Sequence, residues 1–152
     1  MISSTIFTLD KAKRAFVLFS LNQNGSFWSV FVSFGLTIHC KNCRNFANEI
    51  SFPACEEIAP GLYFIEAKGH TKGNSIVILE HDGLYYMFHG DITYCDAALK
   101  ANKLSIIFED KTAARETLDR VRTFIKNNPT VYLSTHCPEG YENLEMKRVM
   151  KL

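Results

Sequence analysis

Apolar residues occur in short runs along the second part of the chain, and turn-forming residues separate the runs. Runs of β-branched and aromatic residues at 62–67, 75–80 and 84–90 predict three consecutive strands. The last two runs flank His81-Asp82-Gly83, and an Asp-Gly pair in that position is typical of a tight hairpin turn. A fourth run, at 130–134, predicts another short strand.

Two segments have the apolar spacing of helices that pack one face against a sheet. The first covers 111–128 and ends at Asn127-Asn128-Pro129, because the residue before a proline avoids helical backbone angles. The second covers 141–150 and is predicted to turn Leu144, Val149 and its methionines inward. The inward positions of the first helix are Ala114, Leu118, Val121, Phe124 and Ile125.

Up to about residue 55 the pattern is aromatic and rich in serine, and it divides less clearly into elements. Residues 15–38 carry no charge and follow a basic cluster, which raises a membrane span or a signal peptide as alternatives. The polar run Asn-Gln-Asn-Gly-Ser at 22–26 favours a hairpin instead, because polar residues are costly at mid-bilayer depth. We therefore predict strands at 15–21 and 27–34, and a protein anchored in a membrane ranks last.

Length and charge restrict the class of protein. With 152 residues, of which 47% are hydrophobic, the chain is long enough for one domain. We expect a single domain over 1–152, with divergent strands in 1–55 and a more regular part in 56–152. Seventeen basic and sixteen acidic residues leave a formal charge of +1, which argues against nucleic acid and against a membrane surface as partners.

The five cysteines do not have the dense spacing of a disulfide scaffold. Their odd number favours a reducing compartment, so we predict a cytoplasmic protein with buried free thiols. His39-Cys40-x-x-Cys43 contains half of a zinc or redox signature, but the sequence has no second pair to complete it. A metal or redox role for this segment is therefore the weaker alternative.

Three side chains that bind metals in other proteins follow predicted strands directly. They are His70, Asp91 and His136. Because the ends of neighbouring strands share one edge of a sheet, we expect these side chains to lie close together. Two imidazoles and a carboxylate are ligands that zinc accepts readily. The alternative is that each is an ordinary hydrogen-bonded surface group. His81 and His89 lie in the hairpin; His89, two residues before Asp91, could support the site from behind, but a half-exposed side chain is the expectation.

The order of these motifs resembles a known family. GHTKGNSIVIL, the hairpin, GDITY, a helix and VYLSTH follow one another as in the C-terminal half of the metallo-β-lactamase superfamily. Within it, Asp91-Ile92-Thr93-Tyr94 is similar to the D-x-x-Y arrangement of the N-acyl homoserine lactonase group. The resemblance covers roughly 56–150. It implies an α/β fold, a half or truncated αββα sandwich whose mostly antiparallel or mixed sheet has flanking helices.

The resemblance also implies roles for individual residues. His70 would bind a first metal ion, Asp91 would bridge two, and His136 would bind the second, with zinc or another divalent cation as cofactor. Tyr94 would direct its hydroxyl at the carbonyl of a small ester or lactone substrate, where a phenol can stabilise a developing oxyanion. The alternative for Tyr94 is an aromatic residue at the start of a helix, packed on the sheet.

The sequence departs from this family at one motif. The H-x-H-x-D-H run, which supplies the other metal ligands in the superfamily, is absent. We therefore expect a hydrolase-like protein with an impaired metal site, and the alternative is a non-catalytic remnant or interaction domain that keeps the half-fold. A half sandwich exposes one sheet face, which 1–55 or a second copy of the chain in a homodimer would have to cover.

Overall fold

The computed structural model describes 52, 55–105 and 108–152 with their backbone, together with the strands at 4–8, 16–21 and 27–31. In the N-terminal part, β1 (Ser4–Thr8), β2 (Phe16–Leu21) and β3 (Phe27–Phe31) form an antiparallel sheet in the order β1-β2-β3. The pairing of Leu21 with Phe27 confirms the predicted hairpin around the polar run. The His39, Cys40 and Cys43 segment lies outside the described residues. Within the described chain, every helix is too short or too polar to cross a membrane.

A second sheet has five strands in the order β4-β5-β6-β7-β8. Its first four strands pair antiparallel in sequence order, whereas β8 runs parallel to β7, so the sheet is mixed as predicted. The parallel pairing places the ends of β7 and β8 at the same edge of the sheet. The strands are β4 (Cys55–Ala59), β5 (Leu62–Glu66), β6 (Ser75–His81), β7 (Leu84–Phe88) and β8 (Thr130–Leu133).

The hairpin between β6 and β7 has the predicted two-residue turn. Asp82 and Gly83 both have positive φ angles, of 52° and 74°, as the turn that fits the twist of a hairpin requires. The strand β4 was not predicted, because Glu56 and Glu57 interrupt its apolar pattern. Only its end residues, Cys55 and Ala59, are buried.

In the part of the chain that the structure describes, three helices follow or interrupt the second sheet: α1 (Asp96–Lys100), α2 (Lys111–Asn127) and α3 (Glu139–Glu145). Helix α2 matches the sequence prediction closely. Asp110 caps it by accepting a hydrogen bond from the amide of Ala113 at 3.0 Å. The five residues predicted to face inward are all buried, namely Ala114, Leu118, Val121, Phe124 and Ile125.

The prediction for the last helix was wrong at its C-terminal end. Helix α3 ends at Glu145, and Lys147 has a positive φ of 48°, which ends helical geometry. Val149 and Met146 are therefore exposed rather than inward. Met150 is buried, because its amide donates to the carbonyl of Thr130 at 2.8 Å and holds the chain end beside β8.

The main core lies between α2 and one face of the second sheet. Ile65, Ile78 and Met87 are completely buried there against Leu118 and Phe124 of the helix. The other face of the sheet is not the exposed apolar surface that a half sandwich suggests. Its residues Leu62, Val77, Tyr86 and Leu133 are each less than a tenth exposed in the single chain. Dimer formation through this face stays a prediction.

None of the described cysteines is the buried free thiol that the sequence predicts. Cys55 is buried and disulfide-bonded, so the expectation of a free thiol is wrong there. Cys95 and Cys137 are free and partly exposed.

Candidate functional site

The turn after β5 carries His70 and is fixed against the start of α2. Gly69 has a φ of +135°, and its carbonyl accepts hydrogen bonds from the amides of Glu109 and Asp110 at 3.0 Å each. A Cβ at Gly69 would overlap backbone atoms of Ala114. Only glycine combines this angle with this close approach, so the glycine holds His70 at the sheet edge.

Asn74 links the turn of His70 to the segment after β7. Its side-chain amide donates to the carbonyl of Ala67 at 2.9 Å, and its carbonyl oxygen accepts from the amide of Asp91 at 3.4 Å. A Cβ at Gly90, which has a φ of +59°, would approach that same oxygen to 2.8 Å. This packing sets Asp91 directly beside the His70 turn.

The segment after β8 is attached to the segment after β7 by hydroxyl groups. Thr135 donates its hydroxyl to the carbonyl of Gly90 at 3.1 Å, and the hydroxyls of Thr93 and Tyr132 form a buried hydrogen bond of 2.8 Å. These contacts place His136 opposite Asp91. They follow from the parallel pairing of β7 and β8, which ends both strands at one edge.

The four residues that the sequence singled out lie together. His70 Nε2 is 3.3 Å from one carboxylate oxygen of Asp91, and His136 Nε2 is 2.7 Å from the other. The side chains of His70, Asp91 and His136 are 16%, 35% and 52% exposed, so the cluster opens towards solvent at His136. The ring of Tyr94 lies 4.6 Å from that of His136 and 6.3 Å from that of His70, both centroid to centroid.

The spacing of the donor atoms fits part of a metal shell at one of the two carboxylate oxygens of Asp91. Two ligand atoms of a tetrahedral zinc ion, each at about 2.0–2.1 Å from the metal, are about 3.3 Å apart. His70 and Asp91 have this separation, whereas His136 and Asp91, at 2.7 Å, have the separation of a direct hydrogen bond. However, no three His, Cys, Asp or Glu side chains in the described part of the chain are arranged to hold one ion. The metal-ligand roles of His70, Asp91 and His136 therefore stay predictions.

His89 is a buried neighbour of the site. It is 0% exposed, so the expectation of a half-exposed side chain was wrong, and its ring stacks on Tyr132 at 3.9 Å. Among the described residues neither ring nitrogen has a hydrogen-bond partner of good geometry. Burial, together with the nearby His136, lowers the pKa of His89 from 6.5 to about 3, although backbone groups of His89 and Gly90 oppose the shift.

Asp96 is a second buried group that no sequence signal distinguished. One carboxylate oxygen accepts the hydroxyl hydrogen of Ser134 at 2.6 Å, and the other accepts from the side-chain amide of Asn143 at 2.8 Å. Asn143 also donates to the carbonyl of Tyr132 at 3.0 Å. Asp96 thus connects α1, the exit of β8 and α3 beneath the segment that carries His136.

Two free thiols lie next to the site. The Cys137 thiol donates to the carbonyl of Tyr94, with Sγ and O 3.1 Å apart. Burial and the neighbouring Cys95 and Glu139 raise the pKa of the Cys137 thiol to about 12.

We expect Gly69→Ala to destabilise the protein by about 2–4 kcal/mol, because the methyl group meets α2 backbone and the φ angle is strained. Urea unfolding measures this loss. The matched control is Gly73→Ala in the same loop, where a Cβ meets nothing within 4 Å and which should change stability little. Equal losses for both variants would contradict the close packing of Gly69 on α2.

Two solved structures are similar to part of this chain. No protein-family model matches the sequence, and a search of curated proteins finds no match. A probable metal-dependent hydrolase from Staphylococcus aureus aligns with 54% of this chain and 30% of its own length, at 22% identity and a TM-score of 0.48. An N-acyl homoserine lactone hydrolase, with the product N-hexanoyl-L-homoserine at its catalytic metal centre, aligns with 62% of this chain and 37% of its own, at 18% identity and a TM-score of 0.51.

The second of these likenesses supports the predicted fold class. The fold is α/β, and its five-stranded mixed sheet with flanking helices is consistent with a partial metallo-β-lactamase-type sandwich. The chain spans about a third of the length of the two solved proteins. At these identities the likeness concerns the fold alone, because one fold can carry unrelated chemistries.

Proposed function

We propose that this chain belongs to a metal-dependent hydrolase that cleaves ester or lactone bonds in small molecules. The observation that supports this most directly is the carboxylate of Asp91, whose two oxygens each face a different imidazole. A structural ion pair needs only one partner, whereas a carboxylate that bridges two cations needs a donor group beside each oxygen. The arrangement of His70, Asp91 and His136 is therefore suited to two metal ions.

Each residue has a defined role in this proposal. His70 and one oxygen of Asp91 would hold one divalent cation, and His136 and the other oxygen would hold the second. A bound cation of this kind supplies a hydroxide near neutral pH by lowering the pKa of water. Tyr94, whose ring lies against His136, would donate its hydroxyl hydrogen to the substrate oxygen as that oxygen becomes negative.

The ligand count predicts weak metal affinity. The described residues offer two donors per cation, and a catalytic zinc site ordinarily has three from the protein. We therefore expect zinc or manganese to bind in the micromolar range or weaker, and hydrolysis to be slow. Truncation of the sandwich, a cytoplasmic location and a homodimer stay predictions that accompany this proposal.

Titration of the purified chain with zinc and with manganese tests the metal site. We expect saturable binding that is lost in His70→Ala and in His136→Ala. The matched control is His81→Ala, because His81 is also a histidine at 3.3 Å from an aspartate oxygen but is exposed in the hairpin turn. Binding that survives both site variants would overturn the proposal.

The role of Tyr94 is tested in a hydrolysis assay with a lactone and excess metal. We expect Tyr94→Phe to lower kcat about tenfold or more and to leave metal affinity unchanged, because only the donor to the oxyanion is removed. Tyr141→Phe, which changes a half-buried tyrosine on α3, serves as the control. An unchanged kcat in Tyr94→Phe would assign Tyr94 to packing alone.

A second candidate function is a non-catalytic interaction domain. The observation in its favour is that the described residues contain no group of three metal-binding side chains around one point. In that case the Asp91 cluster is a set of hydrogen bonds that ties the strand ends together. The metal titration separates the two candidates, since a correctly folded chain that binds no cation would support this one.

A further inference from the structure

The free thiols of Cys95 and Cys137 lie between the two segments that carry the site. Cys95 follows Tyr94, and Cys137 follows His136. The thiol of Cys137 is 3.1 Å from the carbonyl oxygen of Tyr94, the residue before Cys95, so the two cysteines lie side by side in the fold. Both residues are partly exposed, so small reagents in solution can reach them.

The fold holds this pair together by contacts on both sides. Ser134 donates to Asp96, the residue after Cys95, and Thr135 donates to the carbonyl of Gly90. These bonds connect the segment after β7 to the segment after β8 independently of the thiols. Two cysteines that are distant in sequence therefore meet only in the folded chain.

We infer that Cys95 and Cys137 form a thiol–disulfide pair that reacts with low-molecular-weight disulfides and closes a covalent bridge beside the site. The inference concerns a modification site and is independent of the proposed hydrolysis. The contact of the Cys137 thiol with the carbonyl of Tyr94, directly before Cys95, carries it. The bridge joins the position directly after Tyr94 to the position directly after His136.

The reaction proceeds by two exchanges. The Cys95 sulfur attacks one sulfur of the small disulfide, a mixed disulfide forms, and one small thiol leaves. The Cys137 sulfur then attacks Cys95 in the mixed disulfide, the bond between the two protein sulfurs forms, and the second small thiol leaves. The protein loses two electrons and two protons, and the small disulfide gains both.

Tryptic digestion allows a direct test, because each of the five cysteines falls in a different tryptic peptide. Cys95 lies in 73–100 and Cys137 in 127–147. The folded chain is incubated with oxidised glutathione, remaining thiols are blocked, and the peptides are analysed by mass spectrometry. We expect 73–100 and 127–147 to become the predominant new cross-linked pair, and the cross-link to disappear on treatment with a reductant.

Two controls make the result specific to the native contact. In Cys137→Ser the second exchange cannot occur, so we expect Cys95 to keep its glutathione adduct; serine retains a donor for the Tyr94 carbonyl. In urea, where the contact is lost, we expect the preference for this pair to be lost as well. The inference is overturned if both cysteines in the folded chain carry separate adducts, or if either pairs mainly with another cysteine. The readout involves neither metal nor substrate, so its outcome is separate from that of the hydrolase proposal.

Discussion

We expect the substitution Asp91→Asn to lower the affinity for zinc about 100-fold or more. Loss of a group that only orients a metal ligand typically costs 10–100-fold in affinity, and Asp91 would be a ligand to both cations. Asparagine keeps the size of the side chain and one carbonyl oxygen but removes the charge and the second acceptor oxygen. Calorimetric titration with zinc measures the effect.

The control for this prediction is Asp82→Asn. Asp82 also lies 3.3 Å from a histidine, His81, but it is exposed in the hairpin, and asparagine tolerates its positive φ angle. We expect zinc affinity to be unchanged in this variant. If Asp91→Asn binds zinc as tightly as the unmodified chain, Asp91 is not a ligand, and the interaction-domain alternative becomes the better one.

The sequence predicted best where one local signal dominates. Helix α2 has an apolar stripe, a capping aspartate and a proline stop, and the Asp-Gly hairpin has a turn that few other residue pairs can form. The end of the last helix was missed because its exposed Val149 and Met146 imitate an inward stripe. Met150 is buried instead, because its amide donates a hydrogen bond to the carbonyl of Thr130 on β8. This contact joins residues far apart in sequence, so no local pattern predicts it.

The same contrast applies to the site. His70, Asp91 and His136 could be placed at one edge because each follows a strand, and strand ends that are neighbours in a sheet converge. Asp96 and His89 could not be found in this way. Their burial results from the packing of β8 against β7 and of α3 against β8, so nothing near them in sequence distinguishes them from surface residues.

We expect acidification to lower the free energy of unfolding of the metal-free protein, because His89 takes up a proton more readily in the unfolded chain. The pKa of His89 is about 3 in the folded chain and near 6.5 when the chain is unfolded. Between these values the unfolded state binds a proton that the folded state does not, so the free energy of unfolding falls as the pH falls. The stabilisation is complete above pH 6.5 and is lost progressively down to pH 3. In the middle of this range the free energy of unfolding changes by about 1.4 kcal/mol per pH unit.

Urea unfolding in the presence of a chelator, at about pH 7.5 and about pH 5, measures the effect. For His89 alone, linkage gives a loss of about 2 kcal/mol between these two conditions. In His89→Phe the ring that stacks on Tyr132 is kept and the titrating nitrogens are removed, so we expect the loss of stability on acidification to be about 2 kcal/mol smaller than in the unmodified chain. His81→Phe, in the exposed hairpin turn, should leave the pH dependence as it is. Since other groups titrate equally in all three proteins, identical pH dependence in His89→Phe and the unmodified chain would show that His89 can be protonated without unfolding.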